Sequence, residues 1–569
     1  MTTRGETSRF GFWAALAVCA AGLLAYSNSF TGEFVWDDVS SVLLHEHVQD
    51  PSQFVQLFKE DQHAFGRGQG NFYRPLVAAS FMLDSALARP SAGAVDPETG
   101  LPDLTPFLFH ATNLAWHLAA ALLMLALLRR LNAAPWAALA VALLWVVHPL
   151  HTEAVTYISG RADSMAAAFM FAALNLALLR GGAGRRIAGA LLSALFFVAA
   201  LLSKESAAIY PFLLLLVIAL EPRLDAAESP SAVYLRRALP AGLAIALLVG
   251  YGVLRATWLK FASSESVASS FGQRIIETGQ SFALYIRVIF LPTGLHMERT
   301  LVDVPVWLAL VGYLLLAGCM ALFVVGLRRG HYRVALGMGW FLIAWFPISG
   351  LIPLNAPMAE HWMYVPLAGF LLALVEWVWQ RLHSPAARQF AAVAAYAALL
   401  LFVGLSVDRN ADWKNNETIY LATLAKNPDS IKARYNLAVT YEVLRPNLPG
   451  AKRHYEKILS IYDKMRAESG DQGMWPQERE AHVALGNILA QEGQFEAAIA
   501  HYTEVLKSPA EQEAAKTVTA ALLGRGKALL AVGDLPNAFQ DLQRAVTQDP
   551  SSKSEAAALA REAMLLGTR

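Results

Sequence analysis

The fold is decided by an apolar run that ends beside two acids: residues 10–29 read FGFWAALAVCAAGLLAYSNS, and Phe34-Val35-Trp36-Asp37-Asp38 follow. About 20 apolar residues are enough for a helix to cross a bilayer. Carboxylates are costly to hold beside lipid, so two of them at the mouth of a span indicate a functional site. Arg4 and Arg9 precede the run as in a signal peptide, but no convincing cleavage site follows, so we expect a retained signal anchor.

The composition of the whole chain is that of a membrane protein. Of its 569 residues, 56% are hydrophobic and only 16% are charged, whereas soluble chains carry about 25% charged residues. Beyond Val407 the charged residues return to ordinary density. The formal net charge of +1 gives no electrostatic argument for binding nucleic acid. Cys19 and Cys319 both lie in apolar runs, so neither a disulfide framework nor a cysteine metal site is expected.

Eleven apolar runs are predicted to span a membrane. They lie near Phe10–Ser29, Phe107–Leu128, Pro135–Val147, Ser164–Leu179, Ile187–Leu202, Ile209–Leu220, Leu239–Val253, Val304–Leu327, Val334–Ile352, Val365–Trp379 and Phe390–Val407. A further run, Ser281–Leu291, is short and interrupted, and could span, re-enter or lie on the surface. The arginine clusters occupy alternate loops only if this run does not cross. The positive-inside rule then predicts a cytoplasmic N-terminus and an extracytoplasmic C-terminal domain.

The remaining loops form one predicted extracytoplasmic face, which collects the ionisable residues. Their motifs are Trp36-Asp37-Asp38, Tyr73-Arg74-Pro75, His148-Pro149-Leu150-His151-Thr152-Glu153, Gly160-Arg161-Ala162-Asp163, Lys204-Glu205, His296-Met297-Glu298-Arg299 and Glu360-His361-Trp362-Met363-Tyr364. The longest of these loops covers residues 31–106. Within it, Pro51–Phe58 is predicted to lie along the membrane interface, and Ala88–Leu104 is predicted to be disordered.

The chain beyond residue 407 is predicted to be a soluble helical repeat. Gly486, Gly493, Ala498 and Tyr502 recur forty positions later as Gly526, Gly533, Ala538 and Leu542, and an earlier copy carries Leu437, Ala438, Tyr441, Ala451 and Tyr455. These offsets are typical of the tetratricopeptide repeat, although a generic helical bundle is the alternative. We expect residues 408–430 to connect the two parts, residues 431–569 to form a short superhelix, and Lys553–Leu566 to close it.

The motifs of the outer face also occur in the order of a known family. A Trp-Asp-Asp first loop, His-Pro-Leu-His-Thr-Glu-Ala-Val, Gly-Arg-Ala-Asp, Lys-Glu and Glu-His-Trp-Met-Tyr-Val-Pro precede a repeat domain. Together they resemble the transmembrane and tetratricopeptide-repeat O-mannosyltransferases (the TMTC family), of the GT-C class of integral-membrane glycosyltransferases. Two positions differ from the family pattern: His361 follows Glu360 where Arg is usual, and Leu367 follows Pro366 where Ser is usual.

The resemblance covers nearly the whole chain and implies both a fold and an activity. The implied fold is all-α, with a polytopic GT-C-like bundle over residues 1–407 followed by the repeats. The implied donor is a polyprenyl- or dolichyl-phosphate-linked sugar, and the implied acceptor is a protein hydroxyl. An acidic residue of the first loop is implied to lie in the active site.

Asp37 and Asp38 are the predicted catalytic residues. Transfer of a sugar to Ser or Thr needs a general base that takes the hydroxyl proton. A neighbouring carboxylate can tune the basicity of the first or orient the acceptor or a divalent cation. The alternative is that the pair caps a helix or a surface turn. Either residue could be the base, and Asp37 is favoured.

Cations on the same face are candidates for binding the donor phosphate, because the leaving group is an anion. They are Arg161, Lys204, Arg74 and Arg299, with Arg161 and Lys204 favoured, and Arg161 could instead pair with Asp163. The supporting residues are predicted to be His148, His151, Glu153, Asp163, Glu205, Glu298 and Glu360. His148 and His151 could share a helical face as ligands of a metal or a phosphate, or could cap the span by bonding backbone carbonyls.

The leading hypothesis is an inverting glycosyltransferase whose repeats hold a protein acceptor close to a lipid-borne donor. The composition favours a bacterial inner membrane, with mannose or a similar hexose on polyprenyl phosphate. A non-enzymatic scaffold that gathers envelope proteins is the alternative. A transporter would need polar residues in the middle of spans, and few are present. His110, Asn113 and His117 share one face of a span and are predicted to form hydrogen bonds between helices.

Overall fold

The computed structural model describes residues 4–65, 71–88, 95, 100–224, 229–259, 270–301, 304–470, 473–507 and 515–567. Over these ranges the regular structure is helical, and the strand-like pairing is confined to an isolated bridge between Val95 and Pro102. The predicted all-α fold is confirmed. The chain divides into two compact units, Met1–Ile419 and Tyr420–Arg569. The division falls between Ile419 and Tyr420, inside the helix Asn416–Lys426 of the segment 408–430.

The first unit is a bundle whose helices begin repeatedly at proline. The α-helices as far as the division are Arg4–Tyr26 (α1), Glu46–Gln49 (α2), Pro75–Ala88 (α3), Pro106–Arg130 (α4), Pro135–Val146 (α5), Thr152–Val155 (α6), Arg161–Ala177 (α7), Ala183–Leu201 (α8), Tyr210–Leu224 (α9), Pro230–Thr257 (α10), Phe271–Phe290 (α11), Trp307–Arg328 (α12), Tyr332–Trp345 (α13), Tyr364–Arg381 (α14), Pro385–Asp412 (α15) and Asn416–Lys426 (α16). Proline opens α3, α4, α5, α10 and α15, because its fixed φ suits the first turn and its missing N–H has no partner there.

The membrane character of this unit is confirmed. In the described part of the chain, eight helices are long and apolar enough to cross a membrane, or nine if the bent pair Pro135–Val146 and Pro149–Val155 is one span. The other two predicted spans are also helical, but Tyr332–Ile348 is shorter and α7 is buried along almost its whole length. The sequence therefore placed eleven helices, of which two fall short of the length or composition of a free-standing span.

The ambiguous run Ser281–Leu291 lies mainly in α11, which is amphipathic. Its buried face includes Phe282 and Tyr285, and it is not among the helices apolar enough to cross. The helix packs closely on α12, where a Cβ on Gly312 would lie 1.8 Å from the carbonyl oxygen of Gly279. Such a close approach of two helix backbones requires glycine. We conclude that α11 packs as part of the helical bundle.

The long loop after α1 folds into short turns. Pro51–Gln53 and Gln56–Phe58 form separate 3₁₀ turns, and Phe54 and Val55 are exposed between them. Pro51–Phe58, which was predicted to lie along the membrane interface, therefore exposes two apolar side chains at a turn and does not form an amphipathic helix. Most of Ala88–Leu104, which was predicted to be disordered, lies outside the described residues.

The polar residues of α4 were predicted to form hydrogen bonds between helices; His117 does so, whereas His110 and Asn113 bond mainly to loops and turns. The Asn113 amide donates hydrogen bonds of 3.0–3.2 Å to three carbonyls, one at the last residue of α6 and two in the turn between α6 and α7. The His117 ring contacts the Tyr364 hydroxyl at 2.6 Å, and the His110 ring contacts the Gly32 carbonyl at 3.3 Å. These contacts satisfy buried polar groups, and they fix the two segments that carry the candidate site.

The second unit consists of paired helices. They are Ile431–Val439 (α17), Leu448–Ser469 (α18), Pro476–Gln491 (α19), Phe495–Lys507 (α20), Ala515–Ala531 (α21), Leu535–Gln548 (α22) and Lys553–Gly567 (α23). A Cβ on Gly486 would lie 2.6 Å from the Tyr502 ring, and one on Gly526 would lie 3.1 Å from Leu542. Gly486 and Gly526 thus leave room for Tyr502 and Leu542 from the second helix of each pair. This close contact explains why the same spacing recurs in both repeats.

Candidate active site

Asp38 fastens the loop after α1 to the segment before α7. One carboxylate oxygen accepts from the Val35 amide at 2.9 Å, and the other accepts from the Ser159 amide at 2.8 Å and its hydroxyl at 2.6 Å. The side chain is wholly buried. Burial raises the pKa of Asp38 to about 7, although its hydrogen-bond donors act in the opposite direction. With both oxygens engaged, Asp38 positions the loop.

Asp37 differs from its neighbour because its carboxylate is available. Its side chain is partly exposed, and no hydrogen bond or ion pair to the carboxylate is found among the described residues. The backbone is held, since the Asp37 carbonyl accepts from the Ser41 amide at 2.8 Å and the Ser40 hydroxyl at 3.1 Å. A fixed backbone with an unengaged acid is the arrangement that a general base requires.

Trp36, the residue before the acids, adopts an uncommon backbone conformation, with φ at +52°. Its ring stacks on Tyr157 at 5.6 Å between centroids, and Tyr157 stacks on Trp413 at 5.0 Å. The Trp36 amide also donates to the Asn416 side chain at 2.8 Å. A bulky residue at positive φ is strained, so these contacts hold the Trp-Asp-Asp turn in a conformation it would not adopt alone.

Two ion pairs from distant segments form a charged network that extends into the first loop. Arg74 donates to Glu205 at 2.8 and 3.2 Å, and the Lys204 ammonium lies 2.7 Å from both oxygens of Asp163. Burial lowers the pKa of Arg74, but Glu205 and other nearby carboxylates outweigh that effect and raise it. The Glu205 side chain is 46% exposed, so this network opens to solvent.

His63 was not predicted from the sequence, yet it interacts electrostatically with both Asp37 and Arg74. Its Nδ1 is 3.0 Å from the Ser41 hydroxyl and 3.2 Å from that of Ser40. Burial lowers the pKa of His63, the Asp37 carboxylate opposes that shift and Arg74 adds to it. The residue lies two positions after Asp61 in a loop without apolar periodicity, and its place in the same loop as Asp37 was the one sequence feature that could have indicated it.

A second polar cluster joins the late loop to α15. The His361 ring lies 2.9 Å from Glu153, and Arg409 lies 3.3 Å from Glu360 and 2.7 Å from Asp412. Burial raises the pKa of Glu360, and Arg409 acts against that shift. Three distant segments converge here, and each carboxylate in the cluster has an arginine or histidine partner.

Two more predicted residues lie in the loop before α12, beside this second cluster. Arg299 is largely buried and donates to the Gly294 carbonyl at 2.8 Å, and burial lowers its pKa while Glu360 raises it. Glu298 is half-buried. Arg299 is thus placed near Glu360, away from the ion pairs of Arg74 and Lys204.

His148 and His151 do not share a ligand-binding face. His148 contacts the Ile289 carbonyl at 3.0 Å and accepts from the Leu150 amide at 3.3 Å, so it caps the end of the span. His151 packs against Trp145, with ring centroids 4.5 Å apart. Among the described residues, no group of three His, Cys, Asp or Glu side chains is arranged to hold a metal ion. The divalent-cation hypothesis for these residues therefore has no geometric support.

Arg161 is enclosed within the bundle, where protein groups surround its guanidinium. Its guanidinium lies 2.5 Å from Asp84, and it also donates to Asn113 and to the Phe109 carbonyl. Its side chain is fully buried. The suggested pairing with Asp163 is wrong, because Asp163 pairs with Lys204. Because every nitrogen of its guanidinium has a protein partner, Arg161 has a structural role in holding the surrounding helices together.

Comparison with known proteins agrees with this architecture. A tetratricopeptide repeat family model matches residues 467–515 and 484–553. Human protein O-mannosyl-transferase TMTC4 is 23% identical over 75% of this chain and 63% of its own length. Drosophila melanogaster protein O-mannosyl-transferase Tmtc3 is 24% identical over 83% of this chain and 56% of its own. The chain is similar to the TMTC proteins over most of its length.

This similarity confirms the family resemblance drawn from the motifs. Drosophila protein O-mannosyl-transferase Tmtc1 is 30% identical, but over only 34% of this chain and 21% of its own length. The chain spans about 63% of the human TMTC4 relative and a smaller share of the others. What the TMTC relatives transfer, and to what, therefore enters below as a proposal for this chain.

Proposed function

We propose that this chain is a membrane glycosyltransferase that moves mannose or a similar hexose from a polyprenyl-phosphate donor to serine or threonine hydroxyls of proteins. The observation that carries the proposal is the unengaged carboxylate of Asp37. It lies in the loop after α1, which Asp38 fastens to Ser159, and His63 interacts electrostatically with both Asp37 and Arg74. The similarity to TMTC proteins, which are protein O-mannosyl-transferases, supports mannose as the sugar.

Asp37 is the proposed general base. The acceptor hydroxyl loses its proton to the Asp37 carboxylate while its oxygen forms a bond to the anomeric carbon of the sugar. The bond from that carbon to the phosphate oxygen breaks at the same time, and the lipid phosphate keeps the electron pair. Attack from the face opposite the phosphate inverts the configuration at the anomeric carbon.

Arg74 and Lys204 are the proposed contacts of the departing phosphate. The negative charge that develops on the leaving group needs cations already in place. Both are paired with carboxylates in this structure, at 2.8 Å for Arg74–Glu205 and 2.7 Å for Lys204–Asp163. Because Glu205 is partly exposed, Arg74 can exchange that carboxylate for phosphate at a moderate energetic cost.

The orientation proposed from the arginine clusters places Asp37 outside a bacterial inner membrane and the N-terminus in the cytoplasm. The first unit supports one part of this, since α15 ends beside the Asp37 loop. Asn28, just after α1, donates to the Val407 carbonyl at 2.8 Å. The chain thus leaves the membrane unit at the end that carries the candidate site, as is needed if the repeats recruit protein acceptors.

Mass spectrometry of envelope proteins tests the proposal. Cells that make the wild-type chain, no chain or the Asp37→Asn variant are compared at equal membrane abundance of the protein. We expect hexose-modified Ser or Thr peptides with the wild-type chain alone. Equal modification in all three strains contradicts the proposal and favours the scaffold hypothesis. Loss of modification without the chain but not in the Asp37→Asn strain keeps the activity and removes Asp37 from the role of base.

A further inference from the structure

The end of α15 is joined by a series of hydrogen bonds to the segment that leads from α1 to the Trp-Asp-Asp turn. The Asn28 side chain donates to the Val407 carbonyl at 2.8 Å, and it accepts from the Asn410 side chain at 2.8 Å. Further along both segments, the Glu33 amide donates to the Lys414 carbonyl at 2.8 Å. Two segments that are far apart in the chain are thus paired step by step toward the candidate base.

The last contact in this series falls one residue before the candidate base. The Trp36 amide donates to the side-chain oxygen of Asn416 at 2.8 Å. The Trp36 ring stacks on Tyr157, which stacks on Trp413, and Trp413 is wholly buried. Because φ and ψ are the only soft dihedral angles of the backbone, a Trp36 held at a φ of +52° sets the direction in which Asp37 leaves the turn.

Two adjacent asparagines at the start of α16 have different partners. Asn415 caps the helix, since its side-chain oxygen accepts from the Thr418 amide at 3.0 Å and its own amide donates to the Thr418 hydroxyl at 3.1 Å. This reciprocal pair is the arrangement of a capping box. The side-chain oxygen of Asn416 instead accepts from Trp36. The helix itself therefore accounts for Asn415 but not for Asn416.

We propose that Asn416 is a positioning residue for Asp37 and acts through the backbone of Trp36. This inference rests on the proposed function, because it takes Asp37 as the general base. Without the Asn416 oxygen the Trp36 amide loses this hydrogen bond, and a bulky residue at positive φ relaxes toward the more common negative values. The Asp37 carboxylate then turns away from the acceptor hydroxyl, and proton removal slows.

This role links the candidate base to the connection between the two units. Asn416 is the first residue of α16, the helix in which the first unit ends and the second begins. The residue that positions Asp37 therefore belongs to the chain segment that leads into the repeats. The Trp-Asp-Asp turn is complete only when that segment is in place, although no motif of the membrane unit contains it.

The test measures transfer by the full-length chain from polyprenyl-phosphate mannose to an acceptor peptide. Asn416→Ala is expected to lower kcat about tenfold to a hundredfold and to leave KM for both substrates within about twofold of the wild type. Asn416→Asp keeps an acceptor oxygen and is expected to keep kcat within about threefold. The matched control is Asn415→Ala, which removes the helix cap and is expected to lower the melting temperature with kcat unchanged.

Hydrogen exchange followed by mass spectrometry examines the same contact without any activity. Peptides that cover residues 34–41 are expected to exchange about tenfold faster in Asn416→Ala than in the wild type or in Asn415→Ala, because the turn loses a hydrogen bond that holds it. If the wild-type chain transfers no sugar, the proposed function fails, and exchange still decides whether Asn416 holds the turn. Equal exchange in all three chains overturns the proposal.

The kinetic outcomes are equally decisive. A kcat of Asn416→Ala near that of the wild type overturns the proposal, and so does an equal loss of kcat in Asn416→Ala and Asn415→Ala. A higher KM with an unchanged kcat assigns Asn416 to substrate binding and contradicts the positioning role. If Asn416→Ala does not fold, the wild-type chain and Asn416→Asp decide. Protection of residues 34–41 in both supports the proposal, and rapid exchange in the wild type contradicts it.

Discussion

The region around Arg161 and the region around Arg74 contain the same chemistry in two different settings. Arg161 and Asp84 form an ion pair that is enclosed by helices, with side-chain exposures of 0% and 4%. Arg74 and Glu205 form an ion pair at the open edge of the bundle, with exposures of 12% and 46%. The first pair holds α3 against α7, whereas the second can exchange partners. Burial, and not residue type, distinguishes the enclosed ion pair from the one that is proposed to bind an anion.

The same contrast divides the two adjacent acids. Asp38 is closed, because both oxygens accept hydrogen bonds from Val35 and Ser159. Asp37 is open, and its carboxylate has no hydrogen-bond partner in the described part of the chain. Substitution of Asp37 or Arg74, which are open to a ligand, is therefore expected to affect catalysis. Substitution of Asp38 or Arg161, which are closed within the protein, is expected to affect stability.

The largest expected effect is on catalysis at the open acid. Asp37→Asn removes the base but keeps the size of the side chain, so we expect the transfer rate to fall about 10²- to 10⁴-fold. Transfer from a polyprenyl-phosphate sugar to an acceptor peptide measures the rate, and the melting temperature measures folding. Glu46→Gln, an exposed acid of the same loop, is the matched control. A rate near that of the wild type would falsify the role assigned to Asp37.

The closed ion pair is expected to show its effect in stability. Arg161→Gln leaves Asp84 buried without its cation, which should lower the free energy of unfolding by about 3–5 kcal/mol. Thermal unfolding in detergent checks this value. The double variant Arg161→Met with Asp84→Leu replaces both charges by apolar groups and should recover much of the loss. If Arg161→Gln were as stable as the wild type, Arg161 and Asp84 would not have the structural role given to them here.

The open ion pair is expected to show a smaller effect, and mainly on the donor. Arg74→Gln should lower kcat/KM for the lipid-linked sugar by about tenfold to a hundredfold, because one charge-assisted phosphate contact is lost. The free energy of unfolding should change by about 1 kcal/mol or less, since the Glu205 partner is partly exposed. Arg287→Gln, an exposed cation of α11, is the control. A stability loss as large as that of Arg161→Gln would remove the distinction between the two pairs.

A separate expected effect is the pH dependence of stability contributed by Asp38. Burial raises its pKa in the folded chain to about 7, above the usual value near 4 of an unfolded aspartate. Between those values the folded state binds more protons than the unfolded state, so its contribution to stability falls as pH rises from about 4 to 7. Unfolding measured across that range should show the decline in the wild type and a flatter profile in Asp38→Asn. Parallel profiles would indicate that Asp38 is ionised throughout.

Much of the fold was predictable because it depends on local patterns. Apolar runs of sufficient length placed the helices, and the rule against burying unsatisfied backbone makes such runs helical in lipid. The repeat offsets of Gly486 and Gly526 were also readable, since the second helix of each pair must approach the first at a fixed position. The enclosure of α7 was not readable, because its alanine-rich sequence suits a lipid-facing span and a buried helix equally well.

The candidate site was predictable in its members but not in their pairing. The motifs indicated that Arg74, Arg161, Asp163, Lys204 and Glu205 share one face, and the structure divides them into separate ion pairs. Arg161 lies two residues from Asp163 in the chain, yet its partner is Asp84, which no motif marked. Side chains two positions apart on a helix point in different directions. Arg161 and Asp163 at the start of α7 therefore contact different partners.

The sequence by itself determined the class of this protein: a many-helix membrane unit, a tetratricopeptide repeat unit and a line of polar motifs at one membrane face. Those features depend on hydropathy, helical period and residue order, which are properties of neighbouring positions. Only the tertiary structure decided which acid is open, which arginine is enclosed and that His63 interacts with Asp37. Exposure and partner choice depend on segments far apart in the chain, and their packing is set by the whole bundle.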